Sequence, residues 1–231
     1  MPDNAILRQK MMAAMDEETM QQAQAVSKEF AKLMVYYKCA MLEVQTRFTV
    51  LNEAYILEHG RAPVSSIKTR LKTIPSIREK MERRSIPFSL EAMEEGLNDI
   101  AGVRVICAFP EDVNTMANTF LQQDDVVLLR KKDYITNPKP NGYRSLHLII
   151  AIPVHLADRK RMTKVEIQIR TIAMDFWASL EHQLRYKRSN EFTEEMAQEL
   201  YESAQLSAAL DNRMDHLRRS VHKYNNPTDG T

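Results

Sequence analysis

A chain of 231 residues, 44% hydrophobic and 27% charged, is long enough for one large domain with its own core and has the composition of an ordinary water-soluble protein. A formal charge of +1 gives no bulk attraction to DNA, RNA or a membrane surface, and no apolar run is long enough to span a bilayer. Two cysteines, Cys39 and Cys107, exclude a disulfide framework and lack zinc-ligand spacing; with no charged-then-apolar leader after Met1, the expectation is a cytoplasmic protein.

The first part reads as helix. Met34, Tyr37, Met41, Val44, Phe48, Leu51 and Tyr55 alternate spacings of three and four, which makes one apolar stripe, and Gly60 and Pro63 stop it. Such a stripe packs either on its own domain or on a second subunit. From about Ser65 to Lys187 short strands mix with helices. Strands are predicted over Val103–Phe109, Val126–Leu129, Ser145–Ile152 and Thr163–Arg170, and helices over Val113–Gln122 and Met174–Tyr186. The basic, proline-broken run Arg130–Asn141 reads as a loop. Thr193 can cap a final helix that starts with Glu194 and Glu195, carries a discontinuous apolar face, and leaves the tail from Asn225 to Thr231 frayed.

Four clusters carry candidate chemistry. The strand Val165-Glu166-Ile167-Gln168-Ile169-Arg170 alternates strictly, so an acid, an amide and a guanidinium share one face. In T-R-L-K-T-I-P-S-I-R-E-K-M-E-R-R, Pro75 suits a first helical turn, and Ser76, Lys80 and Arg83 or Arg84 then share a face just beyond Arg70 and Lys72. That is a polyphosphate site or a solvated basic face. In N-D-I-A-G-V-R, Asp99 precedes a strand, Gly102 permits close backbone approach, and Arg104 points opposite Val103 and Val105. In K-K-D-Y-I-T-N-P-K-P-N-G-Y-R-S-L-H, Tyr143 offers a stacking face among Lys131, Lys132, Lys139 and Arg144, with His147 beyond. Asp175 opens the following helix, as an N-terminal charge or as a carboxylate able to accept two bonds from guanine. Asp99 and Glu166, from different strands, are a carboxylate pair of the kind Mg²⁺ uses together with substrate phosphates. No Walker A sequence occurs. These residues support a Mg²⁺-dependent phosphoryl- or nucleotidyl-transfer site for a purine nucleotide.

The segments R-L-K-T-I-P-S-I-R-E-K, D-I-A-G-V-R, N-G-Y-R-S-L-H, E-I-Q-I-R-T and M-D-F-W-A-S-L-E-H resemble those of RelA/SpoT-type synthetase domains, in particular small RelQ-type alarmone synthetases. The resemblance implies an α+β fold: a mixed β-sheet flanked by helices, nucleotidyltransferase-like, with helical extensions at both ends. It implies one domain over 1–231, with an N-terminal helical region (1–60), a catalytic core (61–188), and a C-terminal helix and tail (189–231). It also implies transfer of pyrophosphate from ATP to the 3′-hydroxyl of GTP or GDP, with Mg²⁺ on Asp99 and Glu166 and with Glu166 helping to deprotonate the hydroxyl. Arg70 and Arg104 would sandwich adenine, and Lys72, Ser76, Lys80 and Arg83 would hold the ATP phosphates. Lys132, Lys139, Tyr143, His147, Gln168 and Asp175 would form the acceptor side, with Tyr143 stacking on guanine. Some relatives carry Asn at the position of Asp175. A homotetramer is implied as well. No His-Asp pair occurs, so no hydrolase activity is expected. The alternatives are a non-catalytic nucleotide- or RNA-binding regulator on the same fold, and a nucleotidyltransferase attacking the α-phosphate.

Overall fold

The computed structural model describes residues 17–157, 159–187 and 192–225; the chain start that bore on a leader and the tail beyond Asn225 lie outside the described residues. The apolar stripe becomes α1 (Glu17–His59). Tyr37, Met41, Val44 and Phe48 are buried in the main core, with Met34, Leu51 and Tyr55 packed around them. The seam is therefore internal and is not left over for a second subunit. Gly60, at φ +69°, ends the helix by donating its N–H to the carbonyl of Ile56, a left-handed turn that side chains with a Cβ adopt at a cost.

After α1 the chain forms β1 (Val64–Leu71), α2 (Ile74–Arg83), α3 (Leu90–Gly96), β2 (Ala101–Cys107), α4 (Pro110–Leu121), β3 (Val127–Asp133), β4 (Leu146–His155), β5 (Lys160–Thr171), α5 (Ile172–Lys187) and α6 (Glu194–Asn225). The sheet order is β1-β2-β5-β4-β3, with β2 and β5 parallel and every other pair antiparallel. This is the expected mixed sheet flanked by helices. Alternation in the strands sends Val103, Val105, Leu148, Ile150, Ile167 and Ile169 into a core closed by α1 and α4, where Phe48 stacks on Phe120 with ring centroids 4.5 Å apart. Truncating Phe48, which is fully buried, to alanine costs about 3–5 kcal/mol. Arg61 clamps Asp112 in the first turn of α4 at 2.6 and 2.9 Å, fixing the end of α1 to that helix.

Several expectations change. Residues 64–71 form a strand that is absent from the predicted elements: V-S-S-I-K-T-R-L is mostly exposed, so hydrophobic alternation is faint and pairing with β2 supplies the order. Helix α3 is too short to show a helical period. The run Arg130–Asn141 is not all loop. Lys131 and Lys132 lie on β3, and the chain leaves the sheet at Asp133, whose carboxylate accepts from the backbone N–H groups of Ile135 and Thr136. Thr193 does cap α6, accepting from the N–H of Met196 at 3.2 Å.

Candidate active site

Strand register gathers the candidate residues. Arg70 lies opposite Gly102, Gly102 opposite Glu166, Lys68 opposite Arg104, Arg104 opposite Gln168, Gln168 opposite His147, and His147 opposite Lys132. Because side chains alternate between faces, one polar band crosses all five strands on a single face of the sheet. Helix α2 borders this band. Thr73 is its N-cap, accepting from the N–H of Ser76, and Pro75 sits in the first turn as expected.

A cleft of ≈ 220 Å³ is lined by Lys68, Arg70, Lys72, Asp99, Gly102, Arg104, Glu166 and Gln168. Gly102 forms part of this lining; a Cβ there would meet only the carbonyl oxygen of Arg70, at 3.6 Å, so close backbone approach is not what requires it. A second cleft of ≈ 110 Å³ is lined by Lys80, Arg84, Asn98, Asp99, Arg130, Lys132, His147, Ile149 and Glu166. Asp99 and Glu166 belong to both, so the two clefts meet at the carboxylate pair.

Asp99 accepts from Lys72 Nζ at 2.7 Å and from Lys80 Nζ at 2.5 Å, both through Oδ2, while its Oδ1 is buried with no hydrogen-bond partner among the described residues. Burial works against its ionisation, but the two ammonium groups outweigh it and hold the carboxyl below the usual carboxylate range. For Glu166 burial is again the largest influence and is again outweighed, here by His147, whose Nδ1 stands 3.6 Å from Oε1; the charge of Asp99 pushes the other way. An orphaned carboxylate oxygen beside a second ionised carboxylate is an oxygen donor set that fits Mg²⁺. Among the described residues no three His, Cys, Asp or Glu side chains group into a metal cage, so the remaining ligands would be phosphate and water.

Asp175 is embedded in cations. Its side chain is 9% exposed and pairs with Lys68 at 2.9 Å, Arg104 at 3.2 Å and Arg170 at 3.3 Å. Arg104, expected on the adenine side, and Asp175, expected on the guanine side, are thus in direct contact. Burial and the nearby Arg170 pull the Arg104 guanidinium below its ordinary pKa, and Asp175 between them opposes this. On the far side of Arg170, the hydroxyl of Tyr143 accepts from Nη2 at 2.6 Å and stands 2.7 Å from His147 Nε2. Lys139 Nζ lies 4.6 Å from the Tyr143 ring centroid.

The loop carrying Tyr143 is fixed from behind. Gly142 has φ +85°, and a Cβ there would come within 2.5 Å of the Cβ of Ala204 on α6, so only glycine fits. Tyr143 packs on Trp177, Ala178 and Ala204, and Trp177 donates its indole N–H to the carbonyl of Leu200. Of the residues expected at the site, Ser76 is half-buried and bonded within the cap of α2, and Arg83 is exposed at the far end of that helix; neither lines a described cleft. The sequence gives no sign of Lys68, offers Arg84 only as the alternative to Arg83 on the α2 face, and places Arg170 on the polar strand face without a role of its own; it is Arg84, not Arg83, that lines a cleft. Alternation with Glu166 and Gln168 already put Arg170 on the right face, but its burial could not be read from one sequence.

The family described as "Region found in RelA / SpoT proteins" matches residues 69–191. The GTP pyrophosphokinase YwaC of Bacillus subtilis is 42% identical over 202 residues, covering 87% of this chain and 96% of the relative. The crystal structure of the small alarmone synthetase 2 from Bacillus subtilis superposes with a TM-score of 0.76 at 41% identity, covering 83% of this chain and 99% of that one. That of small alarmone synthetase 1 from the same organism, bound to its product pppGpp, gives 0.77 at 33% identity over 84% and 99%.

Proposed function

This chain belongs to the RelA/SpoT family, and from that premise we propose that it is a GTP pyrophosphokinase of the small alarmone synthetase type, moving the terminal pyrophosphate of ATP to the ribose 3′-hydroxyl of GTP or GDP, with AMP as the leaving group. The observation that carries the reading is the meeting of two cation-lined clefts at Asp99 and Glu166, which suits a donor on one side and an acceptor on the other.

In the first cleft Arg70 and Arg104 hold the adenine between their guanidinium planes and Lys72 receives phosphate. Lys80, which lines the second cleft, meets the phosphates at the shared carboxylates, whereas Ser76 and Arg83, assigned to the phosphates by the resemblance, stand on α2 outside both clefts. Lys72 and Lys80 share the single carboxylate of Asp99 as counter-ion, which leaves a net positive charge there for the polyphosphate. Asp99 and Glu166 are the residues to hold Mg²⁺, which when bound neutralises charge on the phosphate oxygens. Glu166 accepts the proton of the attacking hydroxyl. On the acceptor side Tyr143 stacks on guanine, Lys132 and Lys139 meet phosphates, and His147, Gln168 and Asp175 fix the nucleoside.

A homotetramer follows from the family resemblance. It is supported by Leu206, Leu210, Leu217 and Val221, which stay exposed on α6, and not by the α1 stripe. Light scattering that returned a monomer mass at micromolar concentration would remove it. Among the described residues no helix is long and apolar enough to cross a membrane, and we place the protein in the cytoplasm. Net charge lends no support to RNA or DNA binding.

One incubation with ATP, GDP and Mg²⁺, resolved for nucleotides, tests the reaction. AMP with ppGpp is expected. Released pyrophosphate means attack at the α-phosphate, and binding without any product means a non-catalytic regulator.

A further inference from the structure

Arg170 is buried, its side chain 5% exposed, and it lines neither cleft. Yet its guanidinium reaches four groups at once. Nε donates to Ser145 Oγ at 3.3 Å, Nη1 to Asp175 Oδ1 at 3.3 Å, and Nη2 to Gln168 Oε1 at 2.9 Å and to the Tyr143 hydroxyl at 2.6 Å. Burying a guanidinium with its fork this fully engaged costs desolvation, and packing alone would be met more cheaply by an apolar side chain.

We propose that Arg170 is the positioning residue of the acceptor site, acting through Tyr143 and Gln168 without touching either nucleotide; this rests on the pyrophosphokinase reading. Three consequences follow from which atoms donate. With Arg170 donating to its oxygen, the Tyr143 hydroxyl turns its own proton toward His147 Nε2. That leaves the His147 proton on Nδ1, facing Glu166. Arg170 also fixes the Gln168 amide with oxygen inward, so its Nε2 donates to Glu166 Oε2 at 3.2 Å. One buried guanidinium thereby sets the stacking ring, the histidine tautomer and the amide orientation together.

The test uses the full-length protein as Arg170→Lys, which keeps a charge opposite Asp175 but cannot serve the other three groups, together with Tyr143→Phe and the double variant. In Arg170→Lys the KM for GDP should rise about ten- to a hundredfold while the KM for ATP stays within about twofold, as expected for lost charge-assisted bonds on one side only. Because Tyr143→Phe keeps the ring and loses the bond, the double variant should be little worse than Arg170→Lys alone. A residue that only holds the fold together would instead raise both KM values alike, with multiplying effects in the double variant, and that outcome overturns the proposal. Trp177 is the only tryptophan and packs on Tyr143, so a GDP titration followed by its fluorescence reads acceptor binding without turnover. Wild-type protein that makes no ppGpp overturns the pyrophosphokinase reading. The Arg170 assignment then stands or falls on whether Arg170→Lys weakens the Trp177 titration.

Discussion

Replacing Asp175 with alanine removes the one anion shared by Lys68, Arg104 and Arg170. The cost is set by how well water can compensate each cation. Lys68 and Arg104 side chains are 58% and 35% exposed, so their pairs with Asp175 are worth roughly 0–1 kcal/mol each. Arg170 is 5% exposed and cannot be rehydrated in place; stripping the partner from a buried pair costs about 3–5 kcal/mol. Arg170 keeps its bonds to Tyr143, Gln168 and Ser145, which places the total near the low end, at about 3 kcal/mol. For a chain of this size each kcal/mol shifts the midpoint by about 2–4 °C, so Asp175→Ala should melt about 6–12 °C lower. Differential scanning calorimetry on the purified variant measures this directly, with Asp175→Asn, which preserves shape and one acceptor, falling between. Because Arg104 loses its anchor, the KM for ATP should also rise. An Asp175→Ala protein that melts like the wild type would show that the cation cluster does not depend on this carboxylate, and the reasoning would fail.

Other expected outcomes can be checked alongside. Asp99→Asn and Glu166→Gln should keep the circular dichroism of the parent and lose nearly all turnover; near-normal rates in either would move the reaction centre elsewhere. Tyr143→Ala should raise the KM for GDP about ten- to a hundredfold, from the roughly 1–3 kcal/mol of a base–aromatic stack, and change the KM for ATP much less. A reversed pattern would mean that donor and acceptor clefts have been exchanged. Asp99, Glu166 and Asp175 all have carboxyls held below the ordinary range in the folded chain, each by neighbours that outweigh burial. Their stabilisation is therefore complete above the unfolded value of about 4 and disappears as the pH falls through the folded values. Urea unfolding from pH 6 down to pH 2 should show this loss, shallower in Asp175→Asn; a flat profile would contradict it.

The local pattern of the chain settled a good deal. Strict alternation from Val165 to Arg170 determined that Glu166 and Gln168 share a face, because a strand has a period of two wherever it sits. The three-and-four spacing from Met34 to Tyr55 determined a helix with one apolar side, Pro75 and Thr193 marked helix starts, and Gly60 a helix end. Ordered motifs from Arg70 to Asp175 carried the family. Pairing over long distance was decided only by the fold. Lys68 and Asp175 are 107 residues apart, and only the placement of edge strand β1 beside β2, with α5 beyond, brings them to 2.9 Å. The same holds for the α1 stripe, whose periodicity is identical whether it faces its own sheet or another subunit. Burial of Arg170 had no local signature at all, since a guanidinium on a strand looks the same in sequence whether solvent or four hydrogen-bond partners receive it. Local sequence encodes which side a residue faces; which opposing charge it meets there is a property of the assembled sheet.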